Sequence, residues 1–245
     1  CKDGTVARCE TSATWYFAAC PSRYEGGRSR VPGCFDRVTP LEAAVEGGTV
    51  LPMVTARVGR GDDGTTDLLG QRRMSKASVA IDALGDLDEA SSSIGLARAH
   101  LQSVDGAAAG LLGQVQRDLY EAMAEVAIPV SRAGGPRIDR GQLDWLTGAC
   151  ERVDAATPTL TQFVLPGTSV VGAQLDVART VVRRAERSVV RLIEVAEADT
   201  SSDLPTNRLL GAYLNRLSTL LYLLARGADV ATGRAPEFAR RASLS

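Results

Sequence analysis

Arg179, Arg183 and Glu186 are the residues of this chain best placed to do chemistry, because each falls at the margin of a helix face that has to be buried. Around them Leu175, Ala178, Val182, Ala185, Val189, Leu192 and Ala196 recur at alternating steps of three and four. That spacing describes one apolar stripe on an amphipathic helix. At about 100° per residue the charged trio lines the edge of the stripe, and Arg184, Arg187 and Arg191 fall on the opposite, solvated side. Charges at a core margin are costly to strip of water, so they need partners: each other, an acid on a neighbouring helix, or an anionic ligand. The plainer alternative is a surface helix laced with ion pairs four residues apart.

A second candidate precedes it. Gly61-Asp62-Asp63-Gly64-Thr65-Thr66 lies in a glycine-rich stretch from Gly59 to Gly70, followed by Arg72, Arg73 and Lys76. Glycines let backbone N–H groups approach phosphate oxygens, threonine hydroxyls add donors, and a lysine adds countercharge. The adjacent aspartates suit a hydrated Mg²⁺, which commonly bridges one or two carboxylates and substrate phosphates. No Gly-Lys-Ser/Thr follows at the required spacing, so the loop is not a Walker A motif. Alone, it reads as a turn.

The elements that must hold these groups are helical. The spacing predicts helices over about 76–101, 107–129, 139–154, 169–198 and up to about 228. The first would pack through Leu84, Leu87, Ser91, Ile94 and Leu101, the second through Leu111, Leu112, Val115, Leu119 and Val126, and the last through Leu210, Leu214, Leu217, Leu221 and Leu224. Gly134-Gly135-Pro136, Thr157-Pro158 and Thr200-Ser-Ser-Asp203 break the pattern. No strand pattern longer than a few residues competes. The fold class is therefore all-α: a five-helix up-and-down bundle behind the glycine-rich loop. The chain divides into an N-terminal extension over 1–50, a bundle over 51–231 and a flexible basic tail over 232–245.

Composition agrees. A net charge of −1 gives no global basic field for nucleic acid. The most apolar stretch, Leu209 to Ala225, is interrupted by Asn215 and Arg216, which makes it a core helix and not a membrane span. Four of the five cysteines, Cys1, Cys9, Cys20 and Cys34, lie in the first fifty residues at spacings that match no zinc signature. That segment has neither a sustained apolar period nor a secretory signal, and it reads as a poorly ordered leader. The opening Cys reads as a fragment or an upstream-extended start. A reducing, cytoplasmic setting is expected. Cys150 and the lone His100 read as packing or surface residues.

The ordered set of motifs is specific where each alone is weak. After the glycine-rich loop and Lys76 come Gly85-Asp-Leu-Asp88-Glu89, Ile94-Gly95-Leu-Ala-Arg98 and Phe163-Val-Leu-Pro-Gly167. Ala178-Arg179-Thr-Val-Val-Arg183-Arg184-Ala-Glu186-Arg187 and Tyr213-Leu-Asn215-Arg216-Leu-Ser218 follow. From about Val58 to about Ala228 the chain closely resembles the PduO-type ATP:cob(I)alamin adenosyltransferases, or corrinoid adenosyltransferases. The resemblance implies transfer of the 5′-deoxyadenosyl group of ATP to cobalt, with Mg²⁺ held mainly by the nucleotide and cob(I)alamin as substrate. Cobalt(I) is itself the nucleophile, so no catalytic Ser, Cys or His is required.

Carried across, the family's roles give Val58, Gly59, Arg60, Gly61, Thr66 and Lys76 to the triphosphate. Arg183, Arg184, Glu186, Arg187 and Asn215 complete the ATP site, with Arg183 stabilising the departing charge. Asp88 and Arg179 pair to hold the corrinoid pocket, and Phe163 displaces the lower axial ligand. The resemblance also implies a homotrimer with sites between subunits, a cobalt reductase and a cobalamin-dependent client enzyme as partners. The sequence departs from the family pattern at Val58, where Thr is usual and one hydroxyl contact to ATP is either lost or supplied by Thr55 through a shifted loop, at Thr219 in place of Asp, and at Tyr222 in place of Phe. Two other readings fit parts of the pattern: a non-catalytic corrinoid carrier, and a structural bundle that binds a partner through its arginine face.

Overall fold

Four of the five helices among the described residues open on a side chain that accepts from a free N–H of the first turn; Ser78, before the first helix, makes no such bond. The computed structural model describes residues 59, 61–69, 71–132, 134–159, 162–199 and 201–239, so the leader expected over 1–50 lies outside them. Helix α1 spans Val79–Leu101 and α2 spans Gly106–Ala127, the latter capped by the Asp105 carboxylate, which accepts from Ala108 N at 2.9 Å. Helix α3, Arg140–Ala156, opens on a reciprocal capping box between Asp139 and Gln142. Ser169 caps α4, Val170–Ala198, and Asn207 caps α5, Arg208–Ala231.

The contacts between helices fix their directions. Along α4 and α5, Asp176 meets Arg226, Glu186 meets Asn215 and Glu197 meets Arg208, so the two run antiparallel. On α1, Asp86 meets Ser188 and Glu89 meets Arg184, which sets α1 antiparallel to α4. Helix α2 returns along α1 through Arg98 Nη1 to Gln116 Oε1 at 3.0 Å. Helix α3 packs against α5, where Cys150 Sγ donates to the Arg216 carbonyl at 3.6 Å, and reaches α2 through Gln142 Nε2, which donates to Glu121 Oε2 at 2.8 Å. The helices alternate in direction along the chain, as an up-and-down bundle does.

The α4 stripe is buried as its periodicity required: Leu175, Ala178, Val182, Ala185, Val189 and Leu192 are all fully buried, as are the α5 leucines at 210, 214, 217 and 221. Helix α1 differs in detail. Leu84 and Ser91 are only half-buried, and Ala80, Ala83, Ala90 and Ala97 fill the packed face beside Leu87 and Ile94. Small side chains let α1 lie close to both α2 and α4.

Three further differences have local causes. The glycine-rich loop continues into an antiparallel hairpin, β1 over Thr65–Leu68 and β2 over Gln71–Ser75, which moves the start of α1 from the expected 76 to Val79. The strands carry no apolar alternation to announce them, and polar side chains hold their turn. Helix α5 runs on to Ala231. The segment expected to be a free tail from 232 is tied down through residue 239: Val164 pairs with Phe238, Leu165 N donates to the Glu237 carbonyl at 2.8 Å, and Ala239 N donates to the Phe163 carbonyl at 2.8 Å.

The Asp229 carboxylate of α5 packs tightly over Gly172 of α4, where an added Cβ would sit 2.2 Å from Asp229 Oδ1 and 2.8 Å from Ser169 Oγ. Gly172→Ala is expected to destabilise the bundle by about 1–3 kcal/mol in urea unfolding. Gly110→Ala on α2, where nothing lies within 4 Å, should instead be neutral or stabilising by about 0.5–1 kcal/mol. Equal effects would mean that the close approach is absent.

Candidate functional site

The hairpin loop is shaped by its own side chains. Gly59, Gly61 and Gly64 all have positive φ, and at Gly61 a Cβ would sit 2.7 Å from the Thr65 carbonyl, so only glycine fits there. Asp63 Oδ1 accepts from Thr65 N at 3.1 Å and from Thr65 Oγ1 at 2.7 Å, and its other oxygen pairs with Arg73. The Thr65 hydroxyl and N–H, joined by Arg73, hold the Asp63 carboxyl below its ordinary value. Lys76 Nζ donates to the Gly61 carbonyl at 2.7 Å, leaving two of the ammonium's three donors for a ligand. Thr66 stands opposite Met74 in the hairpin. Val58 and Arg60, and the side chain of Arg72, lie outside the described residues.

These contacts bear on the metal expectation. Asp63 is committed within the loop, which leaves Asp62 alone of the adjacent pair. No group of three His, Cys, Asp or Glu able to hold a metal occurs among the described residues. That donor set fits a Mg²⁺ carried on phosphate oxygens and water more than one caged by protein.

Helix α4 presents its charges in three directions. Towards α5, Asn215 Nδ2 donates to Glu186 Oε1 at 3.1 Å, at the head of an open cleft of about 370 Å³ lined also by Val190, Glu194, Arg208 and Gly211. Towards α1, Arg184 Nε donates to Asp86 Oδ1 at 3.0 Å and Nη2 pairs with Glu89. Arg183 points outward, not along the buried margin where the spacing placed it: it is exposed, its side chain has no partner among the described residues, and its carbonyl accepts from Arg187 Nη1 at 2.8 Å.

Arg184 therefore corrects the expectation that it points to solvent. An arginine at the rim between two faces reaches either way on its long stem, and two α1 carboxylates 95 and 98 residues away in sequence draw it to the interface. Their hydrogen bonds, Glu89 first, raise its pKa and hold the charge in place. Arg187 and Arg191 are exposed as expected.

The residues expected to line a corrinoid pocket, Asp88, Arg179 and Phe163, make no contact with one another among the described residues. Arg179 is half-buried and its Nε donates to Asp176 Oδ1 at 3.1 Å, not to Asp88. Asp88 is exposed and has no partner among the described residues. Phe163 is 90% exposed, on backbone tied to residues 237–239.

Sequence reasoning missed the buried polar groups behind these. Asp176, Arg226 and Asp229 form a buried ion cluster, and Asp118 accepts from the buried Tyr213 hydroxyl at 2.7 Å. Burial, then the neighbouring Asp118, raises the Tyr213 pKa far above its ordinary value, so its hydroxyl stays a donor. The available signal was a charge set inside an apolar run, as Arg226 is after Leu223-Leu224-Ala225.

Comparison with known proteins gives one consistent family. A family model described as cobalamin adenosyltransferase matches residues 56–228. A corrinoid adenosyltransferase of Mycobacterium tuberculosis is 43% identical over 172 residues, covering 69% of this chain and 86% of the relative. One of Bacillus subtilis is 34% identical over 176 residues, with 71% and 86% covered. A solved variant of a PduO-type ATP:corrinoid adenosyltransferase from Lactobacillus reuteri, complexed with cobalamin and ATP, superposes with a TM-score of 0.67 at 24% identity. It covers 76% of this chain and 96% of that one, a likeness of fold.

Arg184→Ala removes the tie between α1 and α4. Because Arg184 is 43% exposed, the expected loss of stability is small, and it shrinks further as salt rises. Thermal unfolding at low and high ionic strength checks this; a salt-independent loss would assign the effect to packing.

Proposed function

The chain belongs to the cobalamin adenosyltransferase family, and from that membership we propose that it transfers the 5′-deoxyadenosyl group of ATP to cob(I)alamin. The cobalt(I) electron pair attacks C5′, the C5′–O bond breaks, and triphosphate leaves with those electrons. Cobalt supplies the nucleophile, so the protein's work is to orient C5′ for in-line attack and to neutralise the leaving group.

One observation carries the reading to particular residues: an unpartnered Arg183 stands one turn before the Glu186–Asn215 pair that heads an open cleft. Glu186 and Asn215 would fix the nucleotide and Arg183 would meet charge as it develops on the triphosphate. Lys76 and the hairpin N–H groups would hold the phosphates, with Mg²⁺ riding on them. The Lys76 ammonium already reaches back over the loop to Gly61, which supports its place beside phosphate.

The exposed Phe163 ring supports a role as an apolar wedge against the corrinoid, since a large ring facing water lacks a packing partner among the described residues. The free Asp88 and the half-buried Arg179 would pair across subunits, with a homotrimer completing the site. Exposed Leu96 on α1 and Val177 on α4 support burial against another copy. A cobalt reductase and a client enzyme would supply cobalt(I) and take the product.

An absorbance assay that follows cob(I)alamin to adenosylcobalamin tests the activity, and a folded chain with no conversion would refute it. Titration with MgATP should release heat, which a structural bundle would not give. Arg183→Ala is expected to lower kcat by about 10²–10³-fold with a much smaller change in ATP affinity. Exposed Arg191→Ala is the control and should leave kcat unchanged. Light scattering should report a trimer; a fully active monomer would overturn the shared site.

A further inference from the structure

Asp176 is 5% exposed, Arg226 3% and Asp229 4%, an unusual depth for three ionised groups. Arg226 Nη2 pairs with Asp176 Oδ2 and Arg226 Nη1 lies 3.3 Å from Asp229 Oδ2. The remaining oxygens are used at either end. Asp176 Oδ1 accepts from Arg179 Nε at 3.1 Å, and Asp229 Oδ1 accepts from Ser169 Oγ at 2.7 Å. Ser169 is the α4 cap, and the neighbouring Thr168 carbonyl accepts from Arg234 Nη1 at 3.4 Å. Polar contacts thus run from Ser169 at the start of α4, through Asp229, Arg226 and Asp176, to Arg179, with the Arg226–Asp229 step an ion pair and not a hydrogen bond.

Charge arithmetic shows why Arg179 cannot leave it cheaply. The two carboxylates and Arg226 sum to −1, and among the ion pairs of the described residues Arg179 is the cation that brings the cluster to neutrality. A buried ion cluster adds little stability over apolar packing, while an uncompensated charge within it is strongly unfavourable. Arg179 is held by Nε alone: both terminal nitrogens, with four N–H donors, have no partner among the described residues. The cluster therefore fixes the direction of the guanidinium and leaves its terminal nitrogens to meet Asp88 of another copy, the pairing proposed above.

We propose that Asp176 is a positioning residue for the corrinoid side of the site, acting through Arg179 and backed by Arg226 and Asp229. The proposal rests on the adenosyltransferase reading. In the full-length chain, Asp176→Asn raises the KM for cob(I)alamin by about tenfold, the loss of roughly one charge-assisted hydrogen bond, with the KM for ATP within about twofold. Thermal unfolding stays cooperative. Because Asp176 acts through Arg179, the double variant Asp176→Asn/Arg179→Ala shows the same corrinoid KM as Arg179→Ala alone.

A second readout does not depend on turnover. The Arg179 Nε–H NMR resonance exchanges slowly in the wild-type chain and rapidly in Asp176→Asn. Should that variant fail to fold, Asp176→Leu/Arg226→Met/Asp229→Asn removes the cluster's charges together and takes its place, with the same outcomes expected. An unchanged corrinoid KM, equal rises in both KM values, additive losses in the double variant, or an unaltered Arg179 resonance each overturn the proposal. A wild-type chain without turnover overturns the adenosyltransferase reading instead, and the resonance still decides the positioning.

Discussion

The burial of one stripe of α4 sets everything else that this bundle presents. Val182, Ala185, Val189 and Leu192 lie fully buried between α1 and α5, and burying a Val or Leu side chain is worth about 1.5–3 kcal/mol. Rotating the helix by one residue, about 100°, would expose that stripe and press Arg183 or Glu186 into the core. Both changes are unfavourable, so the helix phase is fixed. Its charges then inherit fixed directions: Glu186 towards α5, Arg184 towards α1, Arg183 outward between them.

The polar interior has a different energetic character. Apolar burial drives collapse without caring which side chain meets which. The Asp118–Tyr213 bond between α2 and α5, and the Asp176–Arg226–Asp229 cluster between α4 and α5, accept few alternatives, because a missed partner leaves a buried group unsatisfied. Those pairings hold α5 in register with α4 and α2. The Glu186–Asn215 pair needs that register, since sliding α5 by one turn would carry Asn215 about 5.4 Å along the cleft.

Periodicity made the bundle legible, and it left the hairpin and the cross-helix pairs dark for physical reasons. A stripe repeating over 29 residues of α4 averages out local exceptions, and the α5 leucines behave alike. The hairpin has strands of four and five residues joined through Asp63, Asp67 and Arg73, too short and too polar for an alternation to register. Arg184 was misread because a helical wheel gives the direction of Cβ and not the reach of a guanidinium. Its partners, Asp86 and Glu89, sit on a helix that one-dimensional spacing cannot bring alongside. Asp176 was overlooked for the converse reason: beside Leu175 it reads as an edge charge, and only α5 supplies the Arg226 that makes burial tolerable.

The arginines of α4 divide by what they would have to give up. Arg184 holds two carboxylates, Arg179 neutralises a buried cluster, and Arg187 is bonded to the Arg183 carbonyl. To follow charge developing on a ligand, Arg184 or Arg179 would first break an ion pair, and that cost subtracts from any stabilisation offered. Arg183 breaks nothing. A preorganised donor is effective because it needs no rearrangement at the moment charge appears. Among residues 179–187, Arg183 alone combines an unpartnered cation with a stem whose starting direction is fixed by the helix phase. The tied arginines matter to it indirectly, by keeping α4 from turning.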